Sequence, residues 1–193
     1  MGLLKALFSL SLGSLFKRRS LFALINVLYF GSVLVAALVA GRQYALCDGW
    51  GAEWDSAGAG GFVALFVSIF LFNLVVSSFI LLTLTGLLFF ALPTGILVVR
   101  AALWGFMLNR LSTPAFLAVL PTLLLEGEGY VIAGVAGANL GLSWLKPSWM
   151  SGDVVSRRDA LRQAVKECAY LYVLVAVLLL AAAVVETFTI YLA

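Results

Sequence analysis

Residues 20–40 read SLFALINVLYFGSVLVAALVA, twenty-one positions without a charge. At about 1.5 Å per helical residue such a run reaches roughly 30 Å, the thickness of a bilayer's hydrocarbon core. Lys17, Arg18 and Arg19 stand on its N-terminal side, as basic residues do beside membrane-crossing helices. Signal peptides share this order of basic flank and apolar run; here the segment is expected to stay in place as an anchor.

The rest of the chain has the same character. Of 193 residues, 64% are hydrophobic and 11% charged, and the mean hydropathy is +1.13. A soluble domain is about 45–50% apolar and about 25% charged. A chain this short buries only about 70% of its surface on folding, so the excess must face lipid rather than a larger core. The length fits one domain, a single integral membrane unit over residues 1–193. The net charge of +3 and the pI near 9.0 do not point to nucleic acid, because the basic residues sit beside apolar runs. Histidine is absent, which removes imidazole metal ligands, Ser-His-Asp and Cys-His pairs and imidazole proton shuttles. Cys47 and Cys168 form no CxxC or metal spacing, and no cofactor is implied.

Outward from the first anchor, residues 1–19 are rich in Leu and Phe but short for a crossing, and are read as an interfacial amphipathic helix. Residues 41–61 form a polar, Gly-rich surface loop carrying Arg42, Asp48, Glu53 and Asp55, with Trp50 and Trp54 suited to the headgroup layer. Residues 61–90 make a second apolar run, and Pro93 marks a break or a helix start before a third run over 94–108. Residues 114–145 are too many for one straight span. Ser112 and Thr113 can cap their start, and Pro114 suits a first turn. Pro121 and the Glu126-Gly127-Glu128-Gly129 quartet are then expected to break the helix. After a hydrophilic loop at 146–159, residues 160–193 form a last long helix. The expected fold is therefore all-α: a polytopic transmembrane helical bundle of about five spans, the fourth broken, over residues 20–193.

With five spans and a cytoplasmic N-terminus, Lys5, Lys17, Arg18, Arg19, Lys146, Arg157, Arg158, Arg162 and Lys166 fall inside, against Arg42 and Arg110 outside. A re-entrant hairpin over residues 94–124 would put the basic 146–166 region outside, breaking the positive-inside rule, and it ranks second. The expected location is the cell membrane, N-terminus inside and C-terminus outside. Cys47 and Cys168 would then lie on opposite sides and could not pair within one chain, though Cys47 could bridge to a second subunit.

The informative positions are the polar ones inside the spans: Asn73, Arg100, Arg110, Glu126, Glu128 and Glu186. A charge at the centre of a span costs roughly 2.5–3.5 kcal/mol on insertion scales, so such residues pair, face the bundle interior or line a water-filled cavity. Glu126 or Glu128 exchanging protons or cations would make a transport path. The same glutamates paired with Arg100 or Arg110 would make structural ion pairs. Leu92-Pro93-Thr94 and Leu120-Pro121-Thr122 look alike, each with an ionisable residue seven places past its proline, the paired pattern of repeat-built transporters. Gly127, Gly134 and Gly141 recur every seven residues, and Gly137 forms a GxxxG pair with Gly141. Small residues let helices approach closely in lipid, so this stripe is an internal contact or the seam of a homodimer.

Pro121, Glu126 and the run Ile132-Ala133-Gly134-Val135-Ala136-Gly137 resemble the stage II sporulation protein M family. That family has a proline, usually His-Gly after it, a glutamate five residues past the proline and Ile-Ala-Gly-x-x-Gly. Phe70-Leu71-Phe72-Asn73-Leu74 is similar to its Phe-x-x-Asn-Asn region, with Leu74 in place of the second Asn. Ala183-Val184-Val185-Glu186-Thr187-Phe188 resembles its C-terminal Ala-x-x-x-Glu-x-Phe, one residue shorter before the glutamate. Thr122 and Leu123 stand where the family has His-Gly, so no role tied to that histidine carries over. The resemblance runs over roughly residues 60–192. It implies a five-span membrane protein which, in spore formers, acts with cell-wall-degrading proteins during engulfment as an anchor or scaffold. Relatives outside spore formers, archaea included, mean that sporulation itself is not implied.

Two functions are therefore expected to compete. One is a scaffold or membrane-remodelling component that docks partner membrane proteins; the other is a small transporter or channel using Glu126, Glu128 and Arg100. An intramembrane enzyme is not expected: there is no histidine for a Ser-His pair or an HExxH motif, and Asp48, Asp55, Asp153 and Asp159 lie in loops or at a helix start.

Overall fold

The computed structural model describes residues 2–40, 61–148 and 156–192, all but the short connections of which are helical. The surface loop expected from residue 41, with Arg42, Cys47, Trp50 and Trp54, and the position of Asp153 lie outside the described residues. Among the described residues the main helices are α1 Gly2–Lys17, α2 Arg19–Ala40, α3 Gly61–Leu88, α4 Leu92–Leu108, α5 Thr113–Leu145 and α6 Arg157–Leu192. Four of them (α2, α3, α5 and α6) are long and apolar enough to cross a bilayer, and α4 is a shorter apolar helix of 17 residues. At about 1.5 Å per residue α4 still reaches roughly 25 Å, the lower limit for a span. The expected all-α bundle is what the chain forms.

From α2 onward the helices alternate in direction. At one end the start of α2, the end of α5 and the start of α6 meet, where Arg18 and Asn139 both reach Glu167 at 3.1 Å. The end of α3 joins them through Trp144 Nε1, which donates to the Leu87 carbonyl at 2.7 Å. At the other end the start of α3 meets the end of α6, Phe62 lying edge-on to Phe188 and Tyr191 at 5.1 and 5.2 Å. There too Gly105, late in α4, presses against Val33 and Ala36, late in α2. Residues 94–124 thus run from one end of the bundle to the other and turn back there, rather than turning part-way as a re-entrant hairpin would.

α5 is the axis. Every residue from Gly129 to Gly141 is buried, the all-round burial of a helix enclosed by others, and α2, α3, α4 and α6 all pack on it. Its glycines make this possible. A Cβ on Gly137 would enter the Leu82 carbonyl, and one on Gly141 the Gly86 carbonyl and the Phe90 backbone. One on Gly134 would strike Leu97, and one on Gly127 the Tyr29 ring, so the stripe serves contacts inside the bundle. Without a hydrophobic force between helices in lipid, such close approach carries the packing energy.

Pro93 opens α4 in its first turn, but the break expected at Pro121 is absent: α5 is one unbroken helix of 33 residues with Pro121 inside it. Proline there removes a single backbone donor, a cost of about 3 kcal/mol. The packing of the following buried residues on four helices outweighs it. Gly127 and Gly129 do not loosen the helix, because they seat Tyr29 and Leu179.

A change of winding within α3 was not among the expectations from sequence. Phe72–Leu84 is π-helical, a run of 13 residues. Its buried side chains are Asn73, Ser77, Ser78, Leu82 and Thr83, spaced four or five apart as i→i+5 bonding dictates. Ser78 Oγ donates to the Asn73 carbonyl five residues back at 2.8 Å.

Candidate functional site

Arg100 lies eight residues into α4 and Tyr29 ten into α2, so each sits about 12–15 Å from its helix start, near mid-depth. There Arg100 meets Glu126 of α5. Nη2 reaches Glu126 Oε1 at 3.2 Å and donates to the Tyr130 hydroxyl at 2.6 Å, while Nη1 donates to Ser77 Oγ at 3.4 Å. The Tyr130 hydroxyl in turn donates to Glu126 Oε1, one helical turn back. The guanidinium also stands 4.2 Å from the centroid of the Tyr130 ring, a cation–π contact. The side chain of Glu126 is 5% exposed and that of Arg100 28%. The unit is a neutral ion pair with a tyrosine bridging it, closed over the carboxylate. Close by, the hydroxyls of Tyr29 and Thr122 and the Nε of Arg100 are buried without a hydrogen-bond partner among the described residues.

The other predicted positions divide. Glu186 is half-buried on α6, near enough to Glu126 and Arg100 to feel both charges. Asn73 is buried on the π-helical stretch that also supplies Ser77. Glu128 takes no arginine among the described residues: it is half-buried, and Asn26 Nδ2 donates to it at 3.4 Å. Arg110 lies exposed in the turn after α4, with no ion pair among the described residues. It therefore does not belong to the cluster. Between the two arginines, the structure selects Arg100, and between the two glutamates, Glu126.

A second ionic site escapes the sequence reading. Glu167 of α6 is buried and takes four donors: Lys17 Nζ at 2.5 Å, Arg18 Nη2 at 3.1 Å, Asn139 Nδ2 at 3.1 Å and Gln163 Nε2 at 3.0 Å. It ties the α1–α2 junction to α5 and α6. In sequence Glu167 sits in an amphipathic helix start and looks like a solvated charge. The one signal was Asn139, an amide inside an otherwise small and apolar run.

Cys168 is a buried free thiol. Among the described residues no three Cys, Asp or Glu side chains gather into a group that could hold a metal ion.

Comparison with known proteins places these features in a lineage. No curated protein and no solved structure matches the chain. The family model of stage II sporulation protein M, however, matches residues 20–189, which takes in nearly all of the four long apolar helices, the shorter α4 and both members of the Arg100–Glu126 pair. The chain belongs to the stage II sporulation protein M family.

Proposed function

We propose that this multi-pass membrane protein is a non-enzymatic scaffold or remodelling component of the cell membrane, docking partner membrane proteins, with its N-terminus in the cytoplasm. The observation that carries this reading is the closure of the mid-depth cluster. Glu126, the carboxylate best placed for proton or cation exchange, is 4% exposed and held by Arg100 and Tyr130. A paired, sealed carboxylate fits a bundle being held together better than a solute being passed. The gathering of Lys17, Arg18, Lys146, Arg157 and Arg158 at one end of the bundle supports a cytoplasmic placement of that end.

Transport is the rival, and the unpartnered Tyr29 and Thr122 hydroxyls beside the cluster favour it. Flux through liposomes containing the purified chain separates the two. The scaffold reading expects no proton or cation flux above that of empty liposomes, and a less stable fold in Glu126→Gln. Wild-type flux that disappears in Glu126→Gln, with the fold intact, would replace it with transport.

A further inference from the structure

α6 turns its small and apolar residues Ala160, Ala164, Leu171 and Val175 into the bundle. Arg158, Arg162 and Lys166, stepping by four residues, stand exposed on the opposite side. None of the three forms an ion pair among the described residues. The nearby carboxylates are engaged elsewhere: Glu167 holds Lys17 and Arg18, and Asp159 accepts from Ser156 Oγ at 2.6 Å. Further along α6 the same outward face carries Val177, Leu180 and Val184, which are 53%, 44% and 39% exposed. The side of the helix that meets acyl chains therefore becomes cationic as it leaves them.

The depth of that change can be read from Glu167. It bonds Arg18, immediately before the 22-residue α2, whose length of about 33 Å matches the hydrocarbon core. Glu167 thus marks the core's edge. Lys166 and Arg162 lie about 2 and 8 Å beyond it, and Arg158 about 14 Å beyond it, through the headgroup layer. α1 packs on α6 with Ser11 and Ser14 buried, while Phe8, Leu10 and Phe16 are 45%, 49% and 70% exposed. A helix that buries two of its three serines and shows both of its phenylalanines has lipid, not water, outside it.

We propose that Arg158, Arg162 and Lys166 form a binding surface for anionic phospholipids of the leaflet at that end. The phosphate groups lie on the cations and an acyl chain runs down the exposed face of α6 as far as Val177, about 15 Å from Glu167 and so near the bilayer midplane. The site needs no particular reading of the mid-depth cluster and stands whether the protein is a scaffold or a transporter.

The test is native mass spectrometry of the full chain released from vesicles of equimolar phosphatidylglycerol and phosphatidylcholine. Wild type is expected to retain phosphatidylglycerol over phosphatidylcholine. Arg158→Gln/Arg162→Gln/Lys166→Gln should lose that preference by about tenfold or more, with an unchanged melting temperature because all three side chains are exposed. Arg158→Lys/Arg162→Lys/Lys166→Arg should keep it. Equal retention of the two lipids by wild type overturns the proposal, as does an undiminished preference in the glutamine variant. Equal retention together with capture of poly-glutamate on neutral vesicles overturns it too, and assigns the cations to an acidic protein.

Discussion

Removing the guanidinium of Arg100 would leave the Glu126 carboxylate buried beside a tyrosine and a serine, with no cation to balance it. Breaking a buried pair from one side costs about 3–5 kcal/mol, whereas replacing both members with neutral groups of similar shape is often nearly free. Arg100→Met is therefore expected to lower the thermal unfolding midpoint in detergent sharply, and Arg100→Met/Glu126→Gln to recover most of the loss. Tyr130→Phe, which deletes the bridging hydroxyl but keeps the ring under the guanidinium, should cost less, about 1–3 kcal/mol. A double variant no more stable than Arg100→Met would mean that the pair is not the unit holding α4 to α5. The candidate pair was legible in the sequence because charges inside apolar runs are costly and must be satisfied. Which glutamate is used was not, since Glu126 and Glu128 are two residues apart and the choice depends on how α5 rotates against α4.

Among the helices, glycine positions that look alike in sequence should behave in opposite ways. A Cβ on Gly137 has no room against α3, so Gly137→Ala must push α3 and α5 apart, at about 1–3 kcal/mol. Gly95 in α4 has nothing within 4 Å of the same atom, so Gly95→Ala is expected to be neutral or stabilising by up to about 1 kcal/mol. Paired melting curves of the two variants would show whether close approach, rather than the mere presence of glycine, holds α3 on the axis. The spans themselves were readable from uncharged length, and Pro93 from its place before an apolar run. Pro121 misled because a proline's local cost is visible in sequence while the burial of the helix beyond it is not. The π-helical stretch did leave a trace: Asn73, Ser77, Ser78 and Thr83 recur at intervals of four, five and ten from Asn73, too wide for an α-helical face. The trace is faint because hydroxyl residues in a span also bond their own helix's carbonyls, as Thr85 does to Leu81.

The molecule as a whole has two unlike ends, one carrying the α2 start, the α5 end and the α6 start, the other closed by Phe62, Phe188 and Tyr191. With Cys47 and Cys168 replaced by serine, Arg157→Cys should react with a membrane-impermeant maleimide only after cells are opened. A cysteine in place of exposed Tyr191 should react in intact cells. The reverse pattern would invert the proposed orientation while leaving the alternation of the helices untouched. Between those ends lies the flank of α3, with Phe72, Val75, Phe79, Ile80 and Leu84 outward. Wound as an ordinary α-helix, about 100° per residue would swing Ser78 about 140° away from Asn73 and bring hydroxyls round to the surrounding oil. The broader coil gathers them on one side instead, and so leaves the bilayer a wall of plain hydrocarbon to lie against.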